Sequence, residues 1–182
     1  MIYQPQTPQT PRRWSWHGFL QDWLKPLLYV VVIVLLLNLF FPRYYVEGRS
    51  MEPNFSESDR LFTATLEVWT AAIQRGQVVV LASPVDGLLV LKRVIGLPGE
   101  KVEVRAGSVY IDGVLLQEEY IRQRPTYSGV WHLGPDEYFV LGDNRNHSYD
   151  SADYGPVARE NLRAVVRLRF WPLDTLNFFG TP

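Results

Sequence analysis

Three stretches of this chain carry residue types that could do covalent chemistry. The first is Gly48-Arg49-Ser50-Met51-Glu52-Pro53, a serine in a tight context closed by proline. The second is Leu91-Lys92-Arg93-Val94-Ile95-Gly96-Leu97-Pro98-Gly99-Glu100. The third is Leu141-Gly142-Asp143-Asn144-Arg145-Asn146-His147-Ser148-Tyr149-Asp150-Ser151, dense in polar groups. A serine hydroxyl is a weak nucleophile until a base removes its proton. Histidine is the usual base, and the chain holds His17, His132 and His147. His147 lies near Asp143, Asp150 and Asp153, so a Ser50–His147–Asp triad is one reading. His132 follows Trp131 and reads as a surface residue, and His17 precedes a long apolar run.

Lysine is the other base, provided it is neutral. Lowering its pKa from about 10.4 to ~8 takes roughly 3.3 kcal/mol, which burial among apolar groups can supply. If 90–94 is a strand, Val90, Lys92 and Val94 share a face, so Lys92 sits among β-branched residues. A solvated lysine blunting an edge strand has the same local sequence. Pattern alone leaves histidine and lysine both open.

Other chemistries are excluded. The oxygens of Asp143, Asn144, Asp150 and Asp153 do not follow the calcium-loop spacing, and Arg145 opposes a cation, so no metal is expected. With no cysteine, thiolate catalysis, disulfides and cysteine zinc sites are absent. A net charge of −1 gives no basic field for nucleic acid. No cofactor is expected, and the oligomeric state is left open.

The elements that must position these residues divide the chain in three. Residues 1–22, opening with the Pro-, Gln- and Thr-rich stretch Met1 to Pro11, read as a disordered cytoplasmic tail. Residues 23–41 are almost wholly apolar and predict a transmembrane helix of about 28 Å, close to the roughly 30 Å hydrocarbon core. Pro26 is expected in its first turn, where a missing N–H costs little. Phe41-Pro42-Arg43-Tyr44-Tyr45 offers no small-x-small cleavage site, so the helix reads as an uncleaved anchor. Arg12, Arg13 and Lys25 before it, against Arg43 and Arg49 after it, place the N-terminus in the cytoplasm and the rest across the membrane.

Residues 42–182 read as one mainly antiparallel all-β catalytic domain. Gln77 to Leu81, Leu88 to Ile95 and Glu137 to Leu141 are short β-branched or aromatic runs bounded by turn residues. Lys101 to Arg105 alternates charged and apolar residues, turns at Ala106-Gly107-Ser108, and returns through Val109-Tyr110-Ile111. Ala164 to Trp171 is a further strand, and Asp59 to Ile73 holds a strand followed by a helical turn.

In order and spacing, these segments resemble bacterial type I signal peptidases. The likeness runs from the anchor through Ser50-Met51-Glu52-Pro53 and Arg75-Gly76-Gln77-Val78-Val79 to the Lys92–Glu100 and Gly142–Ser151 motifs. It implies a membrane-anchored serine endopeptidase that cuts leader peptides from exported preproteins, with Ser50 as nucleophile and Lys92 as general base. Ser148 matches the serine that orients the lysine, and Met51 the residue packed beside the nucleophile. Asp143, Asn144, Arg145 and Asp150 match supporting residues. The family's preference is for small side chains one and three residues before the cut. The implied partners are signal-bearing preproteins and the lipid bilayer.

Four positions depart from that pattern. Gly48 stands where some members place a serine for the oxyanion hole. Glu100 and Gln77 each replace an aspartate. Ala152 stands where many members have an arginine paired with the aspartate at Asp150, so Asp150 is expected to pair with Arg145 instead. The short link from Leu81 to Leu88 leaves no room for the large insertion of some members.

Overall fold

The computed structural model describes residues 16–180, with side chains from Trp23 onward. Helix α1, Trp16–Phe40, is followed by strands β1 (Arg43–Tyr45) and β2 (Arg60–Ala64), helix α2 (Leu66–Thr70), and strands β3 (Val78–Ala82) and β4 (Leu89–Gly96). Next come β5 (Lys101–Arg105), β6 (Ser108–Ile111), β7 (Val114–Leu115), β8 (Gly129–His132) and β9 (Glu137–Leu141). Helix α3 (Ser151–Tyr154) leads to β10 (Val157–Ala158), β11 (Leu162–Trp171) and β12 (Asn177–Phe178). The chain divides into two compact units at Leu37/Asn38.

In the first unit, α1 begins earlier than the apolar run does. Residues 16–22, expected within a disordered tail, are helical, and residues 1–15 lie outside the described residues. Pro26 is therefore interior to the helix rather than in its first turn. No proline falls between Trp16 and Trp23, and the one glycine there, Gly18, weakens a helix without ending it. The stretch Trp23–Phe40 is long and apolar enough to cross a membrane, and all of it is exposed.

The second unit is built on two antiparallel sheets. The larger runs β1-β2-β11-β3-β4-β9-β10, with β12 added to β11; the smaller runs β7-β6-β5-β8. The expected strands are all present, with ends shifted by one or two residues. Sequence patterning missed β1, β7, β8, β10 and β12, which are two to four residues long and too short to show a period.

Three apolar clusters fill the sheets, one around Val79, Leu81, Val94 and Val140, one around Ile95, Val102, Phe139 and Leu141, and one around Met51, Phe55 and Leu61. Strand β4 touches all of them, since alternate residues face opposite ways. It pairs with β3 on one side and β9 on the other, so it is an interior strand. The solvated-edge reading of Lys92 is thereby removed.

The passage from helix to sheet is short. Phe40 O accepts from Thr65 N at 3.2 Å. Pro42 O accepts from Thr63 N at 3.2 Å and from Thr63 Oγ1 at 3.0 Å. Arg43 already pairs with Phe62 in the sheet.

Candidate active site

The site is assembled from the turn after β1, the middle of β4, and the loop between β9 and α3. Lys92 is only 3% exposed. It stands opposite Val79 of β3, between Val90 and Val94, as the alternation expected. These three valines belong to or pack on one apolar cluster, so the ammonium form is poorly solvated there. Burial pushes the Lys92 pKa down, against the opposing pull of Asp150, Asp143 and Asp153. Among the described residues no carboxylate lies within ion-pair distance of Lys92. Its Nζ donates instead to Ser148 Oγ at 3.0 Å.

Asp150 lies close by, and the Ser148 hydroxyl favours its ionised form. Asp150 accepts from Gly142 N at 2.8 Å and from Ala152 N at 3.1 Å, and it caps α3 in a reciprocal capping box with Asp153. Burial pushes its pKa up despite those donors. Lys92 and Asp150 are thus both driven toward their neutral forms by the same desolvation.

Ser50 reaches this group through its backbone. Its carbonyl accepts from Asn144 N at 3.0 Å, and Asn144 Nδ2 donates to Arg49 O at 3.1 Å. A Cβ built on Gly142 would overlap both Ser50 O and Ser148 Oγ, so glycine is what lets the two serines approach one point. Met51 is buried in the cluster with Phe55 and Leu61, which seats the turn carrying Ser50. Gly48, at φ 79°, supplies the left-handed step into that turn. Ser50 also lines a cavity of about 230 Å³ with Tyr44, Val46, Leu61, Val80, Val90 and Leu91. That cavity is mostly walled by apolar side chains and opens beside the Lys92 strand.

Asp143 holds β4 from the other face. Arg93 Nε and Nη2 donate to its two oxygens at 2.7 and 2.6 Å, while Arg93 Nη1 donates to Gly76 O at 2.8 Å. Asn54 Nδ2 adds a third donor to Asp143 at 2.8 Å. At the end of β4, Arg75 Nη2 pairs with Glu100 at 2.6 Å and also reaches Ile95 O. The glutamate that departs from the family pattern therefore still braces this turn.

The family model described as "Signal peptidase, peptidase S26" matches residues 20–171. The chain belongs to the signal peptidase family, peptidase S26. It is a serine endopeptidase of that family. A probable signal peptidase I of Synechocystis sp. is 38% identical over 158 residues, 82% of this chain and 72% of that protein. Signal peptidase I of Leptolyngbya laminosa is 36% identical over 174 residues, 90% of this chain and 85% of that protein. The crystal structure of a signal peptidase I from Enterococcus faecalis V583 is 35% identical, covering 51% of this chain and 95% of that chain, with a TM-score of 0.48.

In this S26 peptidase every residue expected at the site from sequence lies in the Ser50 turn, on β4 or in the 142–150 loop. One expected pairing is not made. Arg145 does not partner Asp150: its guanidinium is forked onto Glu118 at 2.8 and 2.6 Å. Asp150 has no cation partner because a backbone N–H bonds each of its two oxygens. His147 and His132 are exposed, and neither joins Ser50 in a triad. The sequence reading missed Asn54, Glu118 and Tyr120. Asn54 was within reach as the residue after Pro53, but Glu118 and Tyr120 sit in irregular chain with no periodic or motif signal.

Proposed function

We propose that this peptidase removes leader peptides from exported preproteins, with Ser50 as nucleophile and neutral Lys92 as general base. The observation that carries the reading is the state of Lys92: buried among valines, with its pKa pushed down by desolvation and its Nζ directed by Ser148. Such a lysine takes a proton near neutral pH, which a solvated one does not.

In this mechanism Ser50 Oγ attacks the scissile carbonyl as its proton passes to Lys92 Nζ. Among the described residues the Ser50 N–H has no hydrogen-bond partner, which leaves it available for the developing oxyanion. No hydroxyl at Gly48 assists, so backbone donors carry that task. The Lys92 ammonium then protonates the leaving amine, and the acyl-enzyme forms. Water, deprotonated by Lys92, releases the acid. Ser148 keeps Nζ aimed throughout, Asp150 orients the Ser148 hydroxyl, and Asp143 with Asn144 holds the base strand and the nucleophile turn.

The cavity of about 230 Å³ beside Ser50 suits small side chains of an extended substrate. Its strand-like walls are consistent with strand addition, where alternate substrate side chains enter pockets. The Trp23–Phe40 span anchors the enzyme in a bilayer, with residues before it cytoplasmic and the β unit on the outer face. Protease added outside intact cells then reaches the β unit and spares the tail; the reverse protection pattern overturns the orientation.

The test of the chemistry is cleavage of a model preprotein. Ser50→Ala and Lys92→Ala are expected to abolish it, and His147→Ala to retain most of it. Near-normal turnover by Lys92→Ala would overturn the lysine assignment.

A further inference from the structure

The buried ion pair Arg145–Glu118 lies outside the residues to which the proposed mechanism gives a task. Arg145 has a side chain with no exposed surface, and that of Glu118 is 5% exposed. Glu118 belongs to irregular chain after β7, far in sequence from Ser50, Lys92 and Ser148. Removing either partner leaves the other as an uncompensated buried charge, so the pair is held strongly once formed. The fork geometry also fixes the guanidinium plane, which a single contact does not.

That fixed guanidinium has a further bond. Arg145 Nε donates to Gly142 O at 3.1 Å. Gly142 N donates to Asp150, Gly142 itself packs against Ser148 and the Ser50 carbonyl with no room for a Cβ, and Ser148 Oγ accepts from Lys92 Nζ. Polar bonds and one close packing contact at Gly142 therefore lead from Glu118 to the proposed base.

Tyr120, two residues on, ties in the rest. Its hydroxyl donates to Glu118 Oε1 at 2.8 Å. Its carbonyl accepts from Asn54 Nδ2 at 2.6 Å, and the same amide donates to Asp143. Its ring lies 4.2 Å under the Arg93 guanidinium. Asn54 is in the turn that carries Ser50, where its N–H bonds Met51 O at 3.1 Å. The nucleophile turn, the base strand and the 142–150 loop thus converge on Glu118 and Tyr120.

We propose that Glu118, supported by Tyr120, is a positioning residue of this active site, acting through Arg145 to seat the Gly142 loop on which Ser148 and Ser50 rest. The inference rests on the Ser50–Lys92 reading. Neither residue touches the scissile bond, so the effect belongs to kcat rather than to substrate binding.

The experiment uses the full chain in reconstituted bilayers and a short soluble peptide substrate. A serine-directed acylating probe, read at its end point, counts competent sites in each preparation. Per competent site, Glu118→Gln is expected to lower kcat roughly 10- to 100-fold with KM unchanged within about twofold. Arg145→Gln is expected to do the same, and the double variant to lose no more than the worse single one, because both break one device. A fall in melting temperature with normal kcat per site would overturn the proposal, as would losses that multiply in the double variant. If Glu118→Gln does not fold, Tyr120→Phe decides: it removes only the hydroxyl bonded to Glu118, and a smaller fall in kcat at constant KM is expected, while none overturns the proposal. Cleavage surviving in Ser50→Ala or Lys92→Ala would instead overturn the dyad reading. Dead dyad variants beside a normal Glu118→Gln would overturn the clamp alone.

Discussion

Lys92 Nζ donates to Ser148 Oγ at 3.0 Å across 56 residues of sequence, and this bond joins the interior of the larger sheet to the loop before α3. Its strength depends on where it lies. Lys92 is nearly sealed from water, so the bond directs an amine that is already disposed to be neutral.

Burial of Lys92 should cost stability. Its folded pKa is lowered from 10.5, so between the folded value and 10.5 the unfolded chain binds a proton that the native state does not. Stability is therefore expected to fall as pH drops from about 10.5 through that window. Lys92→Met, similar in shape and uncharged, should abolish cleavage yet raise the melting temperature at pH 7, by about 2–4 °C per kcal/mol recovered. It should also flatten this part of the stability–pH curve. Denaturant melts across pH, compared with wild type, check both; an unchanged or lower melting point at pH 7 would count against desolvation as the dominant cost.

The acid limb of the rate profile should report Lys92. Asp150 raises the Lys92 pKa against the stronger effect of burial. Asp150→Asn removes that negative charge, so the acid limb should move to lower pH. The maximal rate should fall about tenfold or more, since an amide keeps one acceptor oxygen where Gly142 N and Ala152 N each use one, and the loop carrying Ser148 is loosened. Initial rates on a soluble peptide across pH test the shift, and a limb displaced upward would contradict the proposed relation between the two groups.

Gly142 should tolerate no side chain. An added Cβ would overlap Ser148 Oγ, Ser148 Cβ and the Ser50 carbonyl at once. Two of these belong to groups held by the bonds described above, and the third is backbone, so none yields freely. Gly142→Ala is expected to destabilise the fold by about 1–3 kcal/mol and to lower kcat on the order of a hundredfold, because the two serines are forced apart. Thermal unfolding and single-turnover rates measure the two effects separately.

The anchor should set the depth of the nucleophile. With Phe40 and Pro42 carbonyls bonded to Thr65 and Thr63, the chain is already tied to the sheet where the apolar span ends. The stretch from Phe41 to Ser50 is therefore not a free tether. A Gly/Ser insertion between Phe41 and Pro42 should slow processing of membrane-inserted preproteins while leaving a short soluble peptide nearly unaffected. Both rates on one insertion series in bilayers give the answer: equal losses indicate a damaged sheet, and no loss on either substrate means the anchor does not position Ser50.

Much of this protein is legible in its sequence because the signals are local. The apolar run from Trp23 is long enough by composition alone. The strand carrying Lys92 alternates Val90, Lys92 and Val94, and that spacing by itself puts the lysine on a β-branched face. The Ser50, Lys92 and Gly142 motifs place the candidate nucleophile, base and loop by number. Period and spacing are properties of neighbours in sequence, and they survive without a fold.

What the tertiary structure decided are the long-range choices. Whether Lys92 is solvated or buried depends on β3 and β9 flanking β4, and strand pairing is not written in any one strand. The partner of Arg145 is another such choice. Asp150 lies five residues away and has the right charge, but backbone N–H groups already fill its oxygens, while Glu118 is carried in by the irregular chain after β7 with no competing donor but Tyr120. A guanidinium buried to zero exposure pairs with whichever carboxylate the packing brings into the same desolvated space, and that is settled by the chain's path in three dimensions rather than by distance along it.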